Sequence, residues 1–175
     1  VAGQPQYRFE STWRIRAEPG AVWDVLYDVP TYPTWWPEVK EIGELNGEHY
    51  DVVIRSVLPY FLRFQLGQSV ADRDEGILEA ELRGDLDGYS RWSIKPARAG
   101  SILHFVEEVE TTRAILNALE PVARPAFRAN HWWMMRNGER GLNTFMAGHT
   151  FASEGPKGRH QEVARLRAKR AQSRG

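Results

Sequence analysis

The sequence predicts an α+β domain in which an antiparallel sheet of about seven strands packs against one long C-terminal helix, with two short helices after the first strand. Three observations carry this: strict alternation in residues 7 to 16, turn signals recurring from residue 46 to 100, and a switch to helical spacing from residue 113.

In "YRFESTWRIR", Phe9, Ser11, Trp13 and Ile15 fall on one face, and Arg8, Glu10, Thr12, Arg14 and Arg16 on the other, the pattern of a half-buried strand. Pro19 suits the first turn of a helix, and Val22, Val25, Leu26 and Val29 recur at helical spacing through "PGAVWDVLYDV". The next segment, "DVPTYPTWWPEV", carries prolines at 30, 33 and 37, which forbid a regular ladder and allow only a broken second helix.

Six strands are expected at about 39–46, 49–58, 61–72, 77–83, 88–96 and 101–111. Asn46-Gly47 is a strong hairpin dipeptide, and turn residues also stand at 74–76, 85–88 and 99–100. Leu62, Phe64, Leu66 and Val70 read as one inward face, as do Leu78, Ala80 and Leu82, and Trp92 and Ile94. From 113 to 147, Leu116, Leu119, Ala123, Phe127, Met134, Leu142 and Phe145 lie near one helical stripe. Pro121 and Pro125 should kink or restart its first part. Gly138 and Gly141 cost about 1 kcal/mol each against Ala, so close packing is expected to compensate.

A chain of 175 residues suits one domain, read here as residues 1–151. Residues 152–175 hold 7 Lys+Arg against 2 Asp+Glu, leaving the body at −5 beneath a formal net charge of zero. That tail is poor in apolar residues, so its composition predicts a basic, disordered appendage, with weak contact to RNA or an anionic surface as the alternative. No transmembrane run and no secretory leader pattern is present, and the protein is expected in the cytoplasm. The absence of cysteine excludes disulfides, thiolate metal sites and thiol nucleophiles. The five histidines form no short metal motif, and neither a phosphate-binding glycine loop nor a nucleophile elbow occurs. No metal, no cofactor and no DNA partner is expected; oligomeric state stays open.

The element order, with "WRIRAEPGAVWDVLYDVPTYPTWWPEV" at 13–39, "GDLDGYSRWSI" at 84–94 and "RPAFRANHWWMMRNGERGL" at 124–142, resembles the START-like, Bet v 1-like (SRPBCC) superfamily. Within it the chain looks like the bacterial polyketide cyclase/dehydratase and lipid-transport branch, over roughly residues 7–148. The resemblance implies a helix-grip fold: a curved sheet wrapped around the long helix, enclosing a cavity. It implies that Tyr32, Trp35 and Trp36 help to wall that cavity or its mouth; the other reading has them plug an ordinary core. Trp13, Phe64, Gln68, Trp92, Phe105, Phe127, Asn130 and Met134 complete the expected ligand-binding set. Ser11, Ser56 and Ser90 share the inward parities.

For chemistry, the last strand "SILHFVEEVET" puts Glu107 on the more apolar parity with Leu103, Phe105 and Val109. A carboxyl in an apolar cavity resists ionisation and would suit a general acid or a donor to a ligand carbonyl. A wet mouth or an arginine partner is the alternative. His131, beside Asn130 on the helix stripe, is the second catalytic candidate or else a satisfied core histidine. Tyr89 and Arg91 alternate with Trp92 and belong outside. Three functions stay open: binding of a small hydrophobic or aromatic ligand, lipid or polyketide-like; a polyketide cyclase/dehydratase (aromatase) using cavity acid–base residues; and a quinone- or ribosome-associated interaction protein using the tail. Whether the chain is an enzyme is left open with them.

Overall fold

The computed structural model describes residues 7–55, 57, 61–111 and 120–149. Strand β1 (Tyr7–Ile15) leads to helix α1 (Pro19–Tyr27), a 3-10 turn (Val29–Thr31) and helix α2 (Tyr32–Trp35). Six strands follow: β2 (Val39–Glu44), β3 (His49–Ile54), β4 (Leu62–Asp72), β5 (Ile77–Gly84), β6 (Leu86–Ala97) and β7 (Gly100–Thr111). Helix α3 (Glu120–Gly148) closes the described chain. Expected residues Ser56, Leu116, Leu119 and the tail from 152 lie outside the described residues, and so do the side chains of Pro121 and Ala123.

All seven strands form one curved antiparallel sheet in the order β1-β7-β6-β5-β4-β3-β2. The meander from β2 to β7 needs only hairpins, whereas β1 pairs with the last strand. The chain leaving β1 must therefore cross six inter-strand steps, about 29 Å on a flat sheet, to begin β2 at the far edge. The α1–α2 segment makes that crossing. Pro19 starts α1, which buries Ala21, Val22, Trp23, Val25 and Leu26, and the Asp28 N–H closes it on the Asp24 carbonyl at 3.2 Å. Pro30 and Pro33 then occupy the first turns of the 3-10 element and of α2, where a missing N–H costs nothing.

Two departures from strict alternation matter. Between Gln68 and Val70 the ladder shifts by one residue, because Gln68 opposes Ala80 and Val70 already opposes Glu79. Ser69 is the extra residue of a β-bulge, and beyond it parity inverts. Val70 therefore points outward and is exposed, correcting its expected inward place, while Ala71 faces Leu78. The second departure is at β6, which begins at Leu86 rather than 88. Asp85 pins the corner through its N–H to the Arg63 carbonyl at 2.9 Å and its carboxylate from the Arg63 N–H at 3.0 Å.

Helix α3 lies across the sheet with Met135, Leu142 and Met146 buried and Phe145 partly so. Of the adjacent pair, Met135 and not the expected Met134 is buried. Gly138 and Gly141 do pack closely. A Cβ on Gly138 would come within 2.7 Å of the Trp13 and Trp36 rings, and one on Gly141 within 1.7 Å of the Trp35 carbonyl oxygen. Helix α3 runs through Pro125 without restarting, and it is anchored to β1 by Glu139, which accepts the Arg14 N–H at 2.8 Å, and by Asn143, which accepts the Arg16 N–H at 3.0 Å and donates to the Arg14 carbonyl at 2.9 Å.

Candidate functional site

The concave face of the sheet carries a row of five directly opposed residues: Phe9, Glu107, Ser90, Ala80 and Gln68 on β1, β7, β6, β5 and β4. Opposed side chains in an antiparallel ladder share a face, so three polar groups cross an otherwise apolar surface. Beside this row lies a cavity of about 100 Å³, with a far larger apolar than polar wall. Its aromatic walls are Tyr32, Trp36, Phe64, Trp92 and Phe105, its aliphatic ones include Leu26, Val29, Ile42, Val52 and Leu82, and Glu107, Ser90 and Gln68 are its principal polar side chains.

Glu107 is half-buried on the wall of this space. Desolvation raises its pKa from the ordinary carboxyl value to about 7. No ion pair joins it among the described residues; the nearest arginine on β1, Arg8, points to the outer face and bonds Glu10 and Glu108 instead. The group can thus donate a proton or accept one close to neutrality, the property that general acid–base chemistry and carbonyl recognition both need.

Tyr32 lines the space with its hydroxyl engaged, donating to the Leu26 carbonyl at 2.7 Å. Burial holds its pKa above the ordinary phenol value. Trp36 donates from Nε1 to the Met134 carbonyl at 3.1 Å, tying α2 to α3 while its ring lines the cavity. Gln68 donates to the Tyr27 carbonyl at 3.2 Å, linking the sheet to the end of α1.

Of the thirteen expected site residues, Tyr32, Trp36, Phe64, Gln68, Trp92, Phe105 and Glu107 line one cavity. The others do not. Trp13 is sealed beneath Gly138 and packs edge-on against Trp36 and Trp92 at 5.3 and 4.7 Å between ring centres. Trp35 fills the core under Gly141. Phe127 packs against Tyr7 at 5.4 Å. The Asn130 side chain accepts the Val57 N–H at 3.2 Å and approaches the Met134 sulfur at 3.7 Å, so it ties Val57 to α3. Met134 is partly buried beside it. Contrary to expectation, the cavity is walled by the sheet and the α1–α2 segment, and no residue of α3 lines it among the described ones.

His131 is partly buried and stacks on the Phe9 ring at 4.2 Å, nearly parallel, with Phe105 6.1 Å away. Desolvation lowers its pKa to about 4, so it is neutral at physiological pH. Its Nε2 has no hydrogen-bond partner among the described residues. Phe9 is the cross-strand neighbour of Glu107, yet no hydrogen bond or ion pair joins His131 to Glu107. The two catalytic candidates share an environment without forming a dyad. Among the described residues no cluster of three metal-ligating side chains occurs and no helix is long and apolar enough to cross a membrane.

A single curved antiparallel sheet gripping a C-terminal helix, with a hollow beside the α1–α2 crossing, defines the helix-grip class of START-like, Bet v 1-like proteins. The chain belongs within it to the family described as polyketide cyclase / dehydrase and lipid transport, whose profile matches residues 6–144. Among solved structures it is similar to the Zhui aromatase/cyclase from Streptomyces sp. R1128, at 16% identity and a TM-score of 0.67 over 85% of this chain and 98% of that one. A START superfamily protein from Mycobacterium smegmatis matches at 16% identity and a TM-score of 0.64, over 81% of this chain and 97% of that one. The di-domain aromatase/cyclase BexL from the BE-7585A biosynthetic pathway matches at 11% identity and a TM-score of 0.59, over 78% of this chain and 46% of that one. No curated protein matches the sequence.

Proposed function

We propose that this protein binds a small hydrophobic or aromatic molecule bearing a carbonyl or hydroxyl group, held in the cavity with Glu107 as its polar anchor. The observation that carries the reading is the place of the Glu107 carboxyl, on the wall of an apolar hollow with no ion pair among the described residues, where desolvation raises its pKa to about 7. A protonated carboxyl supplies one O–H donor and one acceptor, and Ser90 and Gln68 extend the same polar line across the sheet. Size adds a constraint. About 100 Å³ holds roughly three waters, whereas ligand pockets usually measure about 300–1,000 Å³. A fused-ring or acyl ligand would therefore need the walls to yield as it enters. Native mass spectrometry of protein purified from its own host tests this: a stoichiometric apolar molecule is expected. Finding none, together with no thermal shift from a panel of lipids and aromatic polyketides, overturns it.

The second reading is a cyclase/dehydratase, favoured by the pKa of Glu107 and by the likeness to aromatase/cyclases. Here the cavity would fold a poly-β-keto chain, and Glu107 would pass a proton to a carbonyl oxygen or departing hydroxyl. Glu107→Gln separates the two. In a pure binder it shifts affinity alone, and in an enzyme it abolishes turnover while a product analogue still binds.

A further inference from the structure

We propose that the outer face of α3 is a docking surface for an anionic lipid bilayer, separate from the cavity. Trp132 and Trp133 are 62% and 46% exposed, side by side on a helix whose opposite face is packed on the sheet. Arg128, Trp132, Arg136 and Arg140 follow one another at four-residue spacing, and all four are exposed. At 100° per residue, Arg136 and Arg140 project between the two tryptophans, and the Arg136 guanidinium stands 6.0 Å from the Trp132 ring centre. None of these arginines forms an ion pair among the described residues.

A second patch adjoins the first. The Val57 N–H is bonded to Asn130, so Val57 abuts α3 one turn before Trp133 and Met134. Val57 is 69% exposed there; Phe61, after it in the chain, is 39% exposed, and the Arg55 guanidinium lies 5.1 Å over its ring. Exposed rings interleaved with unpaired guanidinium groups are what a bilayer interface selects: indoles settle at headgroup level and arginines pair with lipid phosphates. Because a single helix presents this face convexly, a protein partner would need a groove shaped to it, whereas a fluid bilayer yields around it. The charge distribution agrees. Residues 1–151 carry −5, so an anionic surface repels most of this body and leaves the arginine-rich face as the favourable approach.

The test is co-sedimentation of the full chain with phosphatidylcholine vesicles containing or lacking phosphatidylserine. Binding is expected only with phosphatidylserine and should weaken steeply as salt rises. Trp132→Ala with Trp133→Ala should reduce partitioning about tenfold, and Arg136→Glu with Arg140→Glu should remove the phosphatidylserine dependence, both with unchanged melting temperature because these side chains face solvent. Vesicle binding that survives both double variants would place the contact in the basic tail and overturn the proposal. Failure of the unaltered chain to bind, retention of single-stranded RNA instead, or a dimer that dissociates when the tryptophans are removed would also overturn it.

Discussion

The two ends of the concave sheet face differ in how they meet the rest of the chain. Around Trp13, Trp35 and Leu142 the packing is closed, and α3 approaches so near that its glycines touch indole rings and a carbonyl oxygen. Around Glu107, Ser90 and Gln68, no residue of α3 lines the hollow among the described ones, and polar groups stand in the wall. The first region stabilises the fold; the second leaves dispersion contacts unmade and a carboxyl desolvated, costs that the proposed role in recognition would account for. Stability and the proposed function are thus divided along one sheet.

That division can be broken most severely at Gly141. Alanine there gains about 1 kcal/mol of helix propensity, but its Cβ cannot coexist with the Trp35 carbonyl, so Gly141→Ala should destabilise by about 3 kcal/mol or more in chemical denaturation. Gly138→Ala, against two rings that can shift, should cost less.

Next comes pH. The folded state favours neutral Glu107, so its contribution to stability is greatest below the unfolded pKa near 4.5 and is lost as pH rises to about 7, about 3 kcal/mol in all. The fold also favours neutral His131, whose contribution is full above about 6.5 and is lost as pH falls to about 4. Between roughly pH 4.5 and 6.5 the two slopes oppose each other. Glu107→Gln should leave a stability that climbs with pH across that window, and His131→Phe one that declines. Parallel profiles for the two variants would show that the groups do not titrate as their burial demands. Ligand affinity should fall above pH 7 in the unaltered protein and lose that dependence in Glu107→Gln.

A smaller effect on folding is expected where the hollow is filled. Ala80→Val adds two methyl groups to the cavity wall and should change stability by no more than about 1 kcal/mol, yet weaken ligand binding by tenfold or more. Smallest of all, Arg73→Ala removes a partly exposed ion pair to Asp24 at the surface of α1, which should cost below about 1 kcal/mol and leave the cavity unaffected.

Most of the architecture was legible because local chemistry announces it. Asn46-Gly47 forms its turn with Gly47 at φ +82° and the Asn46 side chain accepting the His49 N–H, and the parities of β1, β5, β6 and β7 place every expected inward residue correctly. The glycines of α3 also declared their close approach. The bulge at Ser69 did not, since nothing in "LGQSVAD" distinguishes a slipped ladder from a regular one. In the run "HWWMM" every residue is large, so spacing alone did not choose Met135 over Met134 for the core or turn the two tryptophans outward. Cavity walls depend on distances between elements, and this is why Leu26, Val29 and Ile42 were not expected in the wall while Trp13 and Trp35 were.

The bulge at Ser69 acts as a dislocation in a two-row lattice. Upstream of it the even-numbered residues of β4 face the hollow; downstream the odd-numbered ones face inward. Excising Ser69 would anneal the dislocation: the Gln68–Ala80 and Val70–Glu79 pairs would become consecutive rungs, and both halves of the strand would keep the faces they have. Removing one residue anywhere else in β4 would instead turn half of the strand inside out. Ser69 is therefore the position at which β4 can absorb a loss of length.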